Sequence, residues 1–267
     1  MNNFKKIGMT ALAASLVSTS VFAGEVTVSG GASMTVEGYS SAGSINAGKG
    51  FSMGNQLTFT GGGELDNGMT VGISFVLDQG DDTATTTKAT DPFDGHSVSI
   101  SSDAMGTLVM HGEGGSSAQG AIDTTAAGDI WDTFDGTTTG VAVKSSTAKG
   151  DTLVYTLPSM VDGVSVTASY SPQQATATSQ TSYALTYTGV EGLSASYGQG
   201  DASTGSSATD ADSTTMKASY AYGSFTVAYS ENDFQSNEAN KDQETTSYKL
   251  SYTVSDAISV SYGAEEI

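Results

Sequence analysis

SYALTYTGVEGLSASYG, residues 182–198, reads as two strands and a turn. Aromatic and apolar residues alternate with small polar ones up to a tight turn, and alternate again beyond it until Tyr197. A period of two sends one set of side chains to each face of a sheet. The same unit recurs as TMKASYAYGSFTVAYS (215–230) and SYKLSYTVSDAISVSYG (247–263), about 33 residues apart. Solenoids also repeat at such periods, but this unit is an antiparallel hairpin followed by a variable polar loop.

Outward from these hairpins the period persists. Val26, Val28, Ala32, Met34 and Val36 alternate with Thr27, Ser29, Ser33 and Thr35, and Met69, Val71, Ile73, Phe75 and Leu77 alternate with Thr70, Gly72 and Ser74. The pattern predicts thirteen strands, at 25–37, 55–64, 69–77, 96–102, 107–112, 151–158, 163–170, 181–188, 193–199, 213–221, 224–231, 245–254 and 258–264. The connections alternate in length. Those at 65–68, 103–106, 159–162, 189–192, 222–223 and 255–257 are short; those at 38–54, 78–95, 113–150, 171–180, 200–212 and 232–244 are long. Outer-membrane barrels pair short periplasmic turns with longer external loops, and with a periplasmic N-terminus every loop here falls on the correct side.

The two faces carry the fold class. Opposite the apolar side chains lie Ser, Thr and Gly, with Lys217 and Lys249. Such small hydroxylated residues cannot fill a lumen at interior density. A polar, water-filled interior with an apolar exterior in lipid accounts for both faces. The expectation is an all-β transmembrane antiparallel barrel. Tyr170, Tyr197, Tyr229 and Tyr262 fall at the loop-side end of outward-running strands, where amphipathic rings form a membrane-interface girdle.

Composition excludes other classes. The 29 acidic residues outnumber nine basic ones, all lysine, for a formal net charge of −20. That balance opposes nucleic-acid binding, which needs basic side chains against phosphates, and suits the handling of cations. Without cysteine there are no disulfides, thiolate metal sites or cysteine nucleophile. Lys5 and Lys6, the apolar run 7–17 and Val21-Phe22-Ala23 form the n-region, h-region and cleavage site of a secretory signal peptide. Cleavage after Ala23 divides the chain into 1–23, the signal peptide, and 24–267, the barrel, and leaves 7 lysines against 29 acids, a net of −22. No other stretch has the roughly 20 apolar residues of a spanning helix, so a membrane location requires a barrel.

GNQLTFTGGGELDNGMTVGISFVLD (54–78) and HSVSISSDAMGTLVMHGEGGSS (96–117) resemble the second to fifth strands of the general porins of Gram-negative bacteria, in their compact alphaproteobacterial form. The weaker hairpin repeats extend the likeness to the C-terminus. The resemblance implies a sixteen-stranded barrel, a homotrimer in outer-membrane lipid and lipopolysaccharide, passive diffusion of small hydrophilic solutes and cations, no cofactor, and a third loop folded into the lumen. The longest connection, 113–150, follows the fifth strand and so occupies that loop's position. It carries Glu113, Asp123, Asp129, Asp132 and Asp135, with Trp131 and Phe134. Acids on an inward loop would narrow the pore and draw in cations; on an external loop they would simply be solvated. The run Val141-Ala142-Val143 is either a strand stub or part of the loop.

Two departures from the family stand out. Porin eyelets oppose loop acids with wall arginines, and this chain has no arginine; His111, on the polar face of strand five, and Lys217 and Lys249 are its wall bases. The ending GAEEI (263–267) also lacks the family's terminal aromatic, and thirteen is odd where bacterial barrels close with even counts. The expectation is a chain short of about three strands of sixteen. Other functions are weaker. His111 and Glu113 offer an enzyme only a lone pair at strand spacing. A calcium-held surface or binding protein could draw ligands from Asp78, Asp81 and Asp82, or from Asp129, Asp132 and Asp135, but the nonapeptide repeats of calcium β-rolls are absent.

Overall fold

The computed structural model describes residues 12–13, 26–36, 51–78, 95–127, 144, 151–172, 179–203, 210–256 and 258–267. Thirteen antiparallel strands form one sheet in chain order: β1 Val26–Val36, β2 Phe51–Glu64, β3 Thr70–Asp78, β4 Gly95–Ser102, β5 Gly106–Glu113, β6 Thr152–Thr156, β7 Val164–Ser171, β8 Ser179–Tyr187, β9 Leu193–Ser203, β10 Ala211–Tyr222, β11 Phe225–Ser236, β12 Gln243–Ser255 and β13 Ile258–Glu266. Each strand pairs with its sequence neighbours, and the segment Leu12–Ala13 adds a two-residue ladder against Ala32 and Gly31 at the edge of β1.

Every predicted strand has a counterpart, but several run further than the alternation. The ninth extends to Ser203, the eleventh to Ser236, and the twelfth begins at Gln243. These extensions are mostly polar on both faces, with Ala202 and Phe234 the exceptions, so period two leaves little trace there. They lie at the long-loop ends, where the strands leave the apolar band.

Tight turns set the register. Between β4 and β5 the chain reverses through Gly106, whose φ of +77° is left-handed. A Cβ there would lie 2.2 Å from the Thr156 carbonyl oxygen, so only glycine fits.

The pleat sorts the side chains as a membrane barrel requires. One face presents Leu57, Ile73, Val98, Leu108, Leu153, Leu185, Met216, Val227, Leu250 and Val260, all exposed. The other is hydroxylated, and its side chains bond across strands: Thr152 to Ser171 at 2.6 Å, Ser169 to Ser182 at 2.7 Å, and Thr186 to Ser196 at 3.1 Å. Among the described residues the only buried apolar side chains are alanines, at 118, 126, 184 and 202, while serines and threonines dominate the buried set. A water-soluble domain has the opposite distribution. No helix among the described residues is long and apolar enough to cross a membrane; in this fold crossing falls to the strands. From Val26 to Met34 on β1 the apolar face spans about 27 Å along the strand, or about 21 Å along the membrane normal at a tilt of ~40°. That approaches the height of an outer-membrane apolar band.

Candidate functional site: a segment laid across the polar face

Beyond Glu113 the chain turns through Gly114 and Gly115, both at positive φ, and crosses the hydroxylated face of the sheet. The contacts follow strand order. The Ala118 amide donates to Ser169 Oγ on β7 at 3.0 Å, and the Gln119 amide to Ser182 Oγ on β8 at 3.1 Å. Ile122 and Gln119 lie over Gly198 on β9, where a Cβ would sit 2.8 Å from Ile122 Cδ1. The Ala126 and Ala127 amides donate to Ser230 Oγ on β11 and Ser247 Oγ on β12, both at 2.8 Å. Ala127 also lies against Gly263 on β13. Ten residues thus cross from β7 to β13. Four of their amides, which an irregular segment would otherwise bury unpaired, are met by wall hydroxyls, each bond contributing about 1 kcal/mol net, while those of Gly120, Ala121 and Ile122 bond back to Ser117 and Gln119 within the segment.

Ser117, Ala118, Gln119, Thr125 and Ala126 are buried between this segment and the wall. Further along, the Lys144 amide donates to Gln243 Oε1 at 2.8 Å, and its ammonium donates to the Lys241 carbonyl and lies over the Phe234 ring. The Asp151 amide then donates to the Gly112 carbonyl at 3.3 Å, bringing the two ends of the connection together.

The predicted site residues divide into three groups. Asp123 is half-buried on the crossing segment, beside Lys217. Lys217 on β10 donates to Thr124 Oγ1 at 2.5 Å, and Lys249 on β12 faces the same lumen side, level with Gly263. His111 is half-buried on the polar face, level with Ser97 and Thr152, and packs against Gly115. Glu113 is the last residue of β5 rather than the first of the loop. Simple alternation puts it on the face of His111, but a register shift at His96/Ser97 pairs Glu113 with His96 and His111 with Ser97. Asp129, Asp132 and Asp135 lie outside the described residues, as do Trp131, Phe134, Val141-Ala142-Val143, and the alternative calcium ligands Asp81 and Asp82.

The lumen bases share one half of the sheet with the crossing segment. On β1 to β4 the lumen face is Thr27, Ser29, Ser33, Gln56, Thr58, Thr60, Ser74, Ser97, Ser99, Ser101 and their neighbours, without a base among the described residues.

Tyr170, Tyr197, Tyr229 and Tyr262 all point outward and are exposed at the long-loop side. Tyr183 and Tyr248 complete the row: the rings of Tyr183 and Tyr197 lie 6.4 Å apart, and Tyr229 pairs with Tyr248. Their hydroxyls reach polar partners, Tyr183 to Gln199 Oε1 at 2.5 Å and Tyr229 to Glu231 Oε2 at 2.9 Å. A second outward aromatic row lies toward the short turns: Tyr155, Tyr220, Tyr222, Phe225 and Tyr252. Tyr155 donates to the Met105 carbonyl at 2.5 Å, and the Phe225 and Tyr252 rings are 4.7 Å apart. Sequence reasoning passed over this row, although aromatics flanking short turns are its signal. The two aromatic rows bound the apolar band, and outer-membrane barrels carry aromatic residues at both of their interfaces.

Known proteins agree with this geometry. The sheet superimposes on an anion-selective porin from Comamonas acidovorans with a TM-score of 0.55 at 16% identity, covering 95% of this chain and 78% of that one. It superimposes on Salmonella typhi OmpF in complex with daunomycin with a TM-score of 0.59 at 13% identity, covering 91% of this chain and 79% of that one. No curated protein matches it in sequence. The Gram-negative porin family matches residues 8–266. The chain belongs to that family and forms a porin channel of the bacterial outer membrane.

Proposed function

We propose that the channel is cation-preferring, with 113–150 as its constriction loop, and that it passes small hydrophilic solutes by diffusion without catalysing a reaction. The observation that carries this reading is the segment 114–127, bonded across the lumen face from β7 to β13. Backbone lying across a lumen narrows it, and the same connection carries Asp123, Asp129, Asp132 and Asp135. The charge balance of −20 raises the cation concentration in a low-dielectric-walled passage. Of the two wall lysines, Lys217 does little to oppose it, because it bonds to Thr124 on the loop itself and lies beside Asp123.

The preference should fade as salt rises, since the screening length falls to about 3 Å near 1 M. Reversal potential across a planar bilayer, under a potassium chloride gradient, tests the reading. Wild type should be cation-selective in dilute salt, and Asp129, Asp132 and Asp135 changed together to Asn should move the potential toward zero. Anion selectivity of the wild type would sink the charge argument. An unchanged triple variant would mean that those acids are solvated outside the pore.

The same reading includes residues 1–23 as an export signal and a homotrimer seated in lipopolysaccharide-bearing membrane. The trimer rests on an asymmetry of the outer face. All described tyrosines lie on β6 to β13, whereas β1 to β3 present Val26, Phe59, Gly61, Ile73, Phe75 and Leu77 around an apolar hollow of about 440 Å³. A wall without tyrosine among its described residues is suited to a neighbouring copy rather than to the lipid boundary.

A further inference from the structure

Most anchors of the crossing segment are main-chain amides, which any sequence would supply. Gln119 differs. Its side chain is only 1% exposed, and both ends of its amide are used. Nε2 donates to Thr215 Oγ1 at 2.9 Å, and Oε1 accepts from Ser213 Oγ at 3.1 Å, two successive lumen-facing positions of β10. Thr215 in turn donates to Asn232 Oδ1 on β11 at 2.8 Å. To reach β10 from its main-chain anchor on β8, the side chain must cross β9, and it does so over Gly198. A Cβ at that position would lie 3.3 Å from Gln119 Cγ. The wall therefore holds a slot of one amide's width, floored by glycine and ended by two hydroxyls.

We propose that Gln119 is the positioning residue of the constriction: its amide fixes the register of the crossing segment on the wall and thereby the width of the pore. The inference rests on the reading of 113–150 as the constriction loop. A primary amide suits the slot because it donates at one end and accepts at the other. A side chain of equal length without those groups leaves Ser213 and Thr215 without their loop partner. The main-chain anchors alone then let the segment slide, because hydroxyls repeat along the wall.

The test compares Gln119→Met, the wall double variant Ser213→Ala with Thr215→Val, their combination, and a chain in which 115–149 are replaced by a short glycine-serine link. The link is sterically simple, since the Asp151 amide already reaches the Gly112 carbonyl. Single-channel conductance and the size limit for sugars entering proteoliposomes are read, with the urea midpoint as a check on folding. Gln119→Met and the wall variant should each raise conductance and admit larger sugars while the chain still folds, the midpoint falling by no more than about 1 M for the hydrogen bonds removed. Their combination should add nothing, because residues acting through one contact are not additive. Should Gln119→Met fail to fold, the wall variant carries the test alone. An excised loop that widens the pore, beside point variants that leave it unchanged or that add independently, would overturn the role of Gln119 while sparing the constriction reading. An excised loop that leaves pore size unchanged would overturn both.

Discussion

Leu250 and Ser251 are adjacent on β12 and face opposite media, so one substitution at each tests the sidedness of the wall. The outward apolar run of this strand is Tyr248, Leu250, Tyr252 and Val254. Six residue steps of about 3.4 Å make that run about 20 Å long, and at a tilt of ~40° its midpoint lies within about 3 Å of Leu250 along the normal. An arginine at that depth costs about 2–4 kcal/mol in a lipid-facing position. Ser251 belongs to the lumen face, where it pairs with Thr226 and Ser261. There an arginine meets water and should change stability by no more than about 0.5 kcal/mol. With a urea dependence of about 2 kcal/mol per M, Leu250→Arg should lower the midpoint by about 1–2 M and Ser251→Arg should leave it within ~0.3 M. The assay is the heat-modifiable gel shift of protein folded into lipid vesicles over a urea series. Equal midpoints for the two variants, or a larger loss at Ser251, would refute the inside-out assignment of the faces.

Gly106→Ala should lower the same midpoint, since a left-handed residue with a Cβ costs about 1–2 kcal/mol before its contact with the Thr156 carbonyl is relieved; an unchanged midpoint would mean the turn relaxes freely. For the trimer, Phe59→Arg should convert oligomers to monomers on unheated gels, whereas Tyr220→Arg should cost similar insertion energy and leave the oligomer intact. Loss of the oligomer in both, or in neither, would remove β1 to β3 from the interface.

The strands and their faces were legible because lipid and lumen impose opposite demands on alternate residues. Tyr183, Leu185 and Tyr187 against Ser182, Ala184 and Thr186 state the fold almost by themselves. Legibility ends where that opposition ends. From Glu231 to Ser236, Phe234 apart, and again from Gln243 to Thr246, both faces are polar, so strands that continue there read as loop. The bulge near His96 was equally silent, since a register shift needs only one extra residue and no special composition. Position 113–150 pointed to an inward loop through its length and its place after the fifth strand, but its anchoring did not. Gln119 stands in a run of Ser, Ala and Gly with no periodicity, and its partners lie 94 and 96 residues away. What made it findable was burial of a polar side chain with both ends satisfied, a property of the assembled wall.

The position of the lysines bears on how such a pore would select. A transverse field across an eyelet requires opposite charges on opposite walls. Here Lys217 and Lys249 lie on β10 and β12, beneath the segment that bears Asp123, and Lys217 bonds to Thr124 of that segment. The lumen face of β1 to β4 offers hydroxyls and glycines instead. Opposite charges placed on the same wall lower the field across the gap rather than creating one. The remaining sources of selectivity on that reading are the acids of the loop and the net acidic excess of the chain, whose potential is not oriented across the gap. Such a potential is screened by salt over a Debye length of about 10 Å at 0.1 M, comparable to the radius of a narrow pore. On this reasoning selectivity should depend steeply on ionic strength, while neutral sugars should be sorted by size alone, with the loop's hydrogen bonds to the wall deciding the width.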